Sequence, residues 1–193
     1  MERIVLATGN KGKIREFERA FSHMHITCVP VKEIVDVPEP EETGATFMEN
    51  ALLKANYYSG KTGLPCLADD SGLTVDALEG APGVYSARYA GIHGDDAANN
   101  EKLIRELQGK TNRTAHYVCA LALVQPDGSH VTAEASCDGE IQDIPVGTNG
   151  FGYDPYFFVP QFGKTMAELD MDTKESISHR GKALQQLVAK VDK

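Results

Sequence analysis

Positive charge is scarce in this chain of 193 residues: 19 Lys and Arg stand against 28 Asp and Glu, for a formal net charge of −9. General duplex binding rests on neutralising many phosphates, so a chain this acidic is a poor candidate for it. A phosphorylated small molecule stays open, provided a few cations converge and a metal assists. Long apolar runs are missing as well. Ile4–Ala7, directly after Met1-Glu2-Arg3, is too short for a signal peptide, and no later run would span a bilayer; a cytoplasmic location is expected. No CxxC pair occurs. Cys28, Cys66, Cys119 and Cys137 are widely spaced, and read as buried thiols in a reducing compartment rather than a disulfide frame or a zinc site. Neither GxxxxGK[ST] nor GxGxxG is present, since Lys13 is followed by Ile14. Internal repeats, low-complexity segments and long linkers are also lacking, so residues 1–193 read as one domain.

What is present is ordinary in bulk, with 41% hydrophobic and 24% charged residues, and long enough to bury a sizeable core. The stretch Leu64–Leu73, LPCLADDSGL, stands out. Its apolar start reads as a short buried strand, and Asp69, Asp70, Ser71 and Gly72 as the exit turn. Ligands of α/β folds bind at the carboxyl ends of strands. Two adjacent acids there are costly to bury without a partner, and Mg²⁺, which takes oxygen ligands, is the simplest one. The same four residues also make a common surface turn.

Ile4–Ala7 reads as a strand, followed by Thr8-Gly9-Asn10-Lys11-Gly12-Lys13. Ile14, Phe17 and Phe21 then recur at helical spacing. Unpaired amides at the start of such a helix favour an anion; Gly9 and Gly12 admit it to the backbone, and Lys11 and Lys13 add charge. Ile26–Val31 is a second strand. Glu33–Thr43 is an acidic, proline-punctuated loop, whose Glu39, Glu41 and Glu42 form a solvated face or lend one ligand to a metal. Thr46-Phe-Met-Glu49 is a capping box opening a helix that ends near Gly60 or Gly63 and carries Asn50 and Lys54 on one face.

Arg88 lies between aromatic residues, and Asp95–Leu107 reads as a helix. His116–Val124 and His130–Cys137 flank Pro126-Asp127-Gly128, a hairpin signal that makes the sheet mixed. Gly147, Gly150 and Gly152 frame Phe151, an aromatic suited to stacking on a base. Asp154 precedes Pro155 and is expected to be extended. The last helix runs from about Ser178 to Val191. Cations in its first turn oppose the helix dipole, so Lys174, His179 and Arg180 make sense against an anion or a carbonyl-rich ligand.

Four segments, Leu6–Lys13 (LATGNKGK), Ala68–Leu73 (ADDSGL), Phe151–Asp154 (FGYD) and Ser178–Gly181 (SHRG), with the linking TFMENALLK and GAPGVYSARYAG, closely resemble the inosine triphosphate pyrophosphatases, the Ham1-like or RdgB-like nucleotide pyrophosphatases. The resemblance runs almost from end to end. It implies an α/β fold with a mixed central sheet flanked by helices, elongated and two-lobed, with the active site between the lobes, and a homodimer. It implies hydrolysis of ITP, dITP and XTP to the monophosphate and pyrophosphate with Mg²⁺, which clears deaminated purine nucleotides. By resemblance, Thr8, Gly9, Asn10, Lys11, Gly12 and Lys13 bind the triphosphate. Asp70 is the catalytic acid position and a metal ligand, Glu41 is the best-aligned second ligand, and Lys54 lies near the phosphates. Ser71, Phe151, Gly152, Tyr153, Asp154, Lys174, His179 and Arg180 contact substrate, the later ones at the base. Asp69 is left as a supporting residue. Rival readings are a Maf-type pyrophosphatase, opposed by the SHR segment, and a nucleotide sensor without catalysis, opposed by intact Asp70, Lys13 and Lys54. An aspartyl phosphatase is opposed by the lack of D-x-D.

Overall fold

The computed structural model describes all 193 residues. Its strands are β1 (Arg3–Leu6), β2 (Thr27–Pro30), β3 (Cys66–Val75), β4 (Thr114–Val124), β5 (His130–Ile141), β6 (Phe157–Val159) and β7 (Lys164–Thr165). Its α-helices are α1 (Lys11–Phe21), α2 (Phe47–Thr62), α3 (Asp96–Glu106), α4 (Met171–Ile177) and α5 (His179–Val191). The seven strands form one sheet in the order β2-β1-β3-β4-β5-β6-β7. β1 runs parallel to β2 and β3, whereas β6 is antiparallel to β5 and β7, so the sheet is mixed as expected. The β4–β5 turn is closed by the Gln125 N–H donating to the Ser129 carbonyl at 2.8 Å.

The chain divides into two compact units: Met1–Asp70 with Cys119–Ala135 and Lys182–Lys193, and Ser71–Val118 with Ser136–Gly181. In the first, β1 is buried on both faces, the pattern of a strand inside a parallel sheet. Period-2 alternation sends Ile4 and Leu6 to one face, with Phe17 and Phe21 of α1. Val5 goes to the other, with Tyr58 of α2. β3 continues the pattern: Leu67 packs on the α1 side and Cys66 on the α2 side. In the second unit, Leu103 and Leu107 pack with Leu73, Val75, Tyr117 and Phe157.

Several expectations change in detail. Asp69-Asp70-Ser71-Gly72 is not an exit turn; all four residues lie inside β3, which runs ten residues to Val75. Polar partners from distant helices hold the acids in the sheet and override their turn preference. α1 begins at Lys11 rather than Ile14, because the Asn10 side chain caps it. The last helix, α5, runs from His179 to Val191 as expected, and a short helix that the sequence did not announce, α4, precedes it. Ser178 ends α4 and its Oγ accepts the Gly181 N–H at 3.0 Å, capping α5. Asp154 is not extended before Pro155; it opens a 3₁₀ turn, Asp154–Tyr156, with its N–H donating to the Phe151 carbonyl. α2 starts at the Thr46 cap as expected and ends at Gly63, whose φ of +67° closes the helix in the left-handed region.

All four cysteines are buried. Burial pushes the Cys66 thiol up to about 12, and burial with nearby Glu18 pushes Cys28 up to about 11, so both stay as inert thiols near neutrality. No helix is long and apolar enough to cross a membrane.

Candidate functional site

Two polar clusters hold the residues that the sequence singled out, one in each unit. The first is built on β3. Strand alternation places Asp69 on the α1 side and Asp70 on the α2 side, and each acid finds its partner there. Lys13, in the first turn of α1, donates its Nζ to Asp69 Oδ2 at 2.8 Å, against a carboxylate only 3% exposed. Asn50 of α2 donates its Nδ2 to Asp70 Oδ2 at 3.0 Å. Lys54, one turn further along α2, donates to the Asp69 carbonyl oxygen at 2.6 Å and pairs with Glu42 at 3.0 Å.

The electrostatics follow from this packing. Burial pushes the Asp70 carboxyl up to about 6; Lys54 and Asn50 pull it down, while the like charges of Glu42 and Asp69 push it further up. Burial also works against the Lys54 ammonium, but the carboxylates of Asp69, Glu42 and Asp70 outweigh it and hold its pKa above the ordinary lysine value. Three carboxylates and two ammonium groups leave the cluster one charge negative. No three His, Cys, Asp or Glu side chains converge as a ready-made metal cage; the oxygen donors open to a hard cation such as Mg²⁺, which takes only one or two carboxylates, are Asp70 and the acidic loop.

The loop before α1 differs from its sequence reading in one respect. The amides of Gly12 and Lys13 are not open to an anion: both donate to Asn10 Oδ1, at 2.9 and 3.1 Å. Gly12 permits this, since a Cβ there would lie 3.2 Å from that same oxygen. Asn10 N–H in turn donates to Thr8 Oγ1 at 3.1 Å. Gly9, Asn10 and Lys11 are exposed. In the acidic loop Glu42 carries the ion pair with Lys54, while its neighbour Glu41 is exposed.

The second cluster centres on Asp154, which is 4% exposed. Its Oδ1 accepts from Tyr117 Oη at 2.8 Å; its Oδ2 accepts from Lys174 Nζ at 2.6 Å and from the Phe151 N–H at 3.3 Å. Gly150 has φ +73°, and a side chain there would collide with the Asp154 carboxylate. The glycine frame therefore makes room for the Asp154–Lys174 pair. Phe151 is 60% exposed, with Lys174 Nζ 5.3 Å from its ring centre. The Tyr117 ring stacks on Phe157 at 4.4 Å and on His179 at 5.0 Å, the latter with 17° between planes. Arg180 is buried beside His179 at the start of α5. Gly152 is held from α3 at both backbone groups: its N–H donates to Asp96 Oδ2 at 3.1 Å and its carbonyl accepts from Asn100 Nδ2 at 3.0 Å. Tyr153 Oη donates to the Ser86 carbonyl at 2.6 Å, and Ser71 is half-buried on β3.

Lys13, Lys54 and Asp70 thus belong to the first cluster. Phe151, Asp154, Lys174 and His179 belong to the second. Asn50 and Tyr117 are the additions that the structure makes, and of the three loop glutamates it is Glu42 that pairs with Lys54. Asn50 gave a faint signal, a polar residue one turn before Lys54; Tyr117 gave none, lying mid-strand in an apolar run.

A family model described as the Ham1 family matches residues 4–190. A protein of Geobacter sulfurreducens called dITP/XTP pyrophosphatase is 52% identical over 186 residues, covering 95% of this chain and 94% of that one. Among solved structures, a HAM1 protein from Coxiella burnetii superposes with a TM-score of 0.95 at 44% identity, covering 100% of this chain and 99% of that one. The Staphylococcus aureus Ham1 protein gives 0.93 at 43% identity, with 98% of each chain covered.

Proposed function

The chain belongs to the Ham1 family, and from that premise we propose that it hydrolyses deaminated purine nucleoside triphosphates, ITP, dITP and XTP, to the monophosphate and pyrophosphate. The single observation that carries the chemistry is Asp70: a carboxyl pushed up to about 6 by burial, beside Lys54, on a strand whose other acid is tied to Lys13. A base is most effective with a pKa near the working pH, and a carboxyl near 6 both ionises at pH 7 and takes a proton readily.

The reaction adds water across the anhydride between the α and β phosphates, so the protein's work is positioning and charge stabilisation. Asp70 holds and deprotonates the attacking water. Lys13, Lys54 and the Thr8–Lys13 loop take the phosphate oxygens; substrate draws Lys13 away from Asp69 or shares it. Asp70 and Glu41, the loop carboxylate beside the one engaged by Lys54, would hold Mg²⁺. When bound, the cation supplies the positive charge that this net-negative cluster lacks for a triphosphate. In the second cluster Phe151 stacks on the base, with Gly152 and Tyr153 carrying the loop behind it and Ser71 contributing a hydroxyl. Donors of His179 and Arg180 meet the 6-oxo group of hypoxanthine or xanthine. The 6-amino group of adenine would leave those donors unmatched, which discriminates by orders of magnitude. Asp154 and Lys174 fix the loop that presents the ring. The protein works as a cytoplasmic homodimer.

A panel of nucleoside triphosphates with Mg²⁺, assayed separately for phosphate and pyrophosphate, tests the reading. Pyrophosphate is expected first and only from the deaminated purines. Phosphate as first product, or equal turnover of ATP, defeats it. Light scattering tests the dimer, and EDTA the cation.

A further inference from the structure

We propose that Asn50 is a positioning residue that clamps the acidic loop onto Asp70; the inference rests on Asp70 being the reacting carboxylate. Asn50 is 1% exposed, in the first turn of α2. Its side chain is used at both ends. Oδ1 accepts the Gly44 N–H at 2.7 Å, and Nδ2 donates to Asp70 Oδ2 at 3.0 Å. The partners fix the orientation of the amide, since Gly44 N–H needs an acceptor and an ionised carboxylate needs a donor. One planar amide therefore joins loop, helix and strand. Aspartate would keep the Gly44 bond but turn an oxygen toward Asp70, and an apolar residue would abandon both groups in a buried setting.

The loop is shaped for this contact. A Cβ on Gly44 would come within 2.6 Å of Asn50 Oδ1, 2.8 Å of Glu49 Cβ and 3.0 Å of Asn50 N, so only glycine lets the backbone close on the helix here. The next amide, Ala45 N–H, donates to Glu49 Oε2 at 2.6 Å. Two consecutive loop amides are thus fixed by two consecutive residues of α2. Glu42, two residues upstream, then meets Lys54 on the same helix. The clamp sets where the carboxylates of the acidic loop stand relative to Asp70, without Asn50 touching the reactants.

The test uses the full-length protein with Asn50→Ala, Asn50→Asp and Gly44→Ala. Kinetics are measured on dITP at a temperature where circular dichroism shows each variant folded. Hydrogen exchange of residues 39–45 is measured without metal. Loss of an outer partner of a site residue costs about 10–100-fold. All three variants are expected to lose kcat by about that factor, with a much smaller change in KM. Exchange in the loop accelerates in Asn50→Ala and Gly44→Ala, and stays slow in Asn50→Asp, which keeps the acceptor. A structural role alone would lower the melting temperature but leave kcat per folded molecule and the local exchange unchanged. Unchanged kcat or unchanged loop exchange in Asn50→Ala overturns the clamp; if that variant fails to fold, Gly44→Ala decides in the same way. Wild-type protein that releases no pyrophosphate overturns the functional reading instead, while the exchange arm still reports on the clamp.

Discussion

Replacing Asp70 by Asn should abolish turnover and make the metal-free protein more stable. Asp70 is 9% exposed, and the balance of burial, two attractive neighbours and two like charges moves its pKa from 3.8 to about 6. A shift of about two units corresponds to roughly 3 kcal/mol of disfavour for the ionised form in the fold. An isosteric amide removes that charge and still offers an oxygen to Asn50 Nδ2. The sign with pH follows from the folded value lying above the unfolded one. The contribution of this group to stability is full below about pH 4, where the carboxyl is protonated in both states, and is lost as pH rises through about 6. The variant should therefore match wild type near pH 4, pull ahead between about pH 4 and 6, and keep its lead at pH 8. For a chain of this size each kcal/mol moves the melting temperature by about 2–4 °C, so a lead of several degrees is expected in EDTA. Mg²⁺ should narrow the gap by stabilising wild type alone. Calorimetry across the pH range reads the stability, and pyrophosphate release from dITP reads the activity. A variant less stable than wild type at pH 8 would refute the burial argument, and near-wild-type turnover would remove Asp70 from the reaction.

Other perturbations separate binding from folding. Phe151→Ala should leave the melting temperature almost unchanged, since the ring is 60% exposed, yet raise KM for dITP, as a base–aromatic stack is worth about 1–3 kcal/mol; an unchanged KM argues against stacking. Tyr117→Phe keeps the stack on His179 but removes one of the donors to Asp154; urea titration should show a loss of about 1.5–3 kcal/mol, and the preference for ITP over ATP should fall. His116 donates to Asp138 at 2.7 Å and to Asp76 at 3.0 Å, and these hydrogen bonds raise its pKa, the Asp138 bond most. Its contribution is full below about pH 6.5 and lost as pH rises through the raised folded value, so the melting-temperature deficit of His116→Gln should be largest near pH 6 and shrink by pH 9. A deficit that is flat with pH would mean that the imidazolium does not carry the bridge.

Elements whose causes are local were legible in the sequence. The apolar run Ile4–Ala7, the spacing of Ile14, Phe17 and Phe21, the Thr46 cap and the Pro126-Asp127-Gly128 turn act within a few residues, and each appears where expected. Asp69–Gly72 was misleading for the opposite reason. The donors that hold these acids in the sheet lie 56, 20 and 15 residues away, so nothing adjacent distinguishes a satisfied strand from a surface turn. Asn10 is a different case. An Asn immediately before a helix is a local capping signal, but Gly9 and Gly12 on either side point to open amides, and only the folded turn shows the Asn10 side chain filling them. Tyr117 shows the limit in the second cluster: its ring belongs to the apolar strand pattern, and only tertiary packing brings its hydroxyl to Asp154.

The period of β3 explains how one dipeptide can serve two purposes. Adjacent strand residues must face opposite ways, so Asp69 and Asp70 cannot share an environment however alike they are chemically. On the α1 side an ammonium 2.8 Å away satisfies Asp69. On the α2 side Asp70 receives an amide, a lysine that is already shared with Glu42, and a second negative charge. The first environment favours a settled ion pair; the second leaves a carboxyl short of positive charge. A one-residue slip of β3 would exchange the two acids, and would also turn Cys66 and Leu67 to the wrong faces of the core. The apolar packing that fixes the register of β3 therefore also decides which aspartate is left short of positive charge.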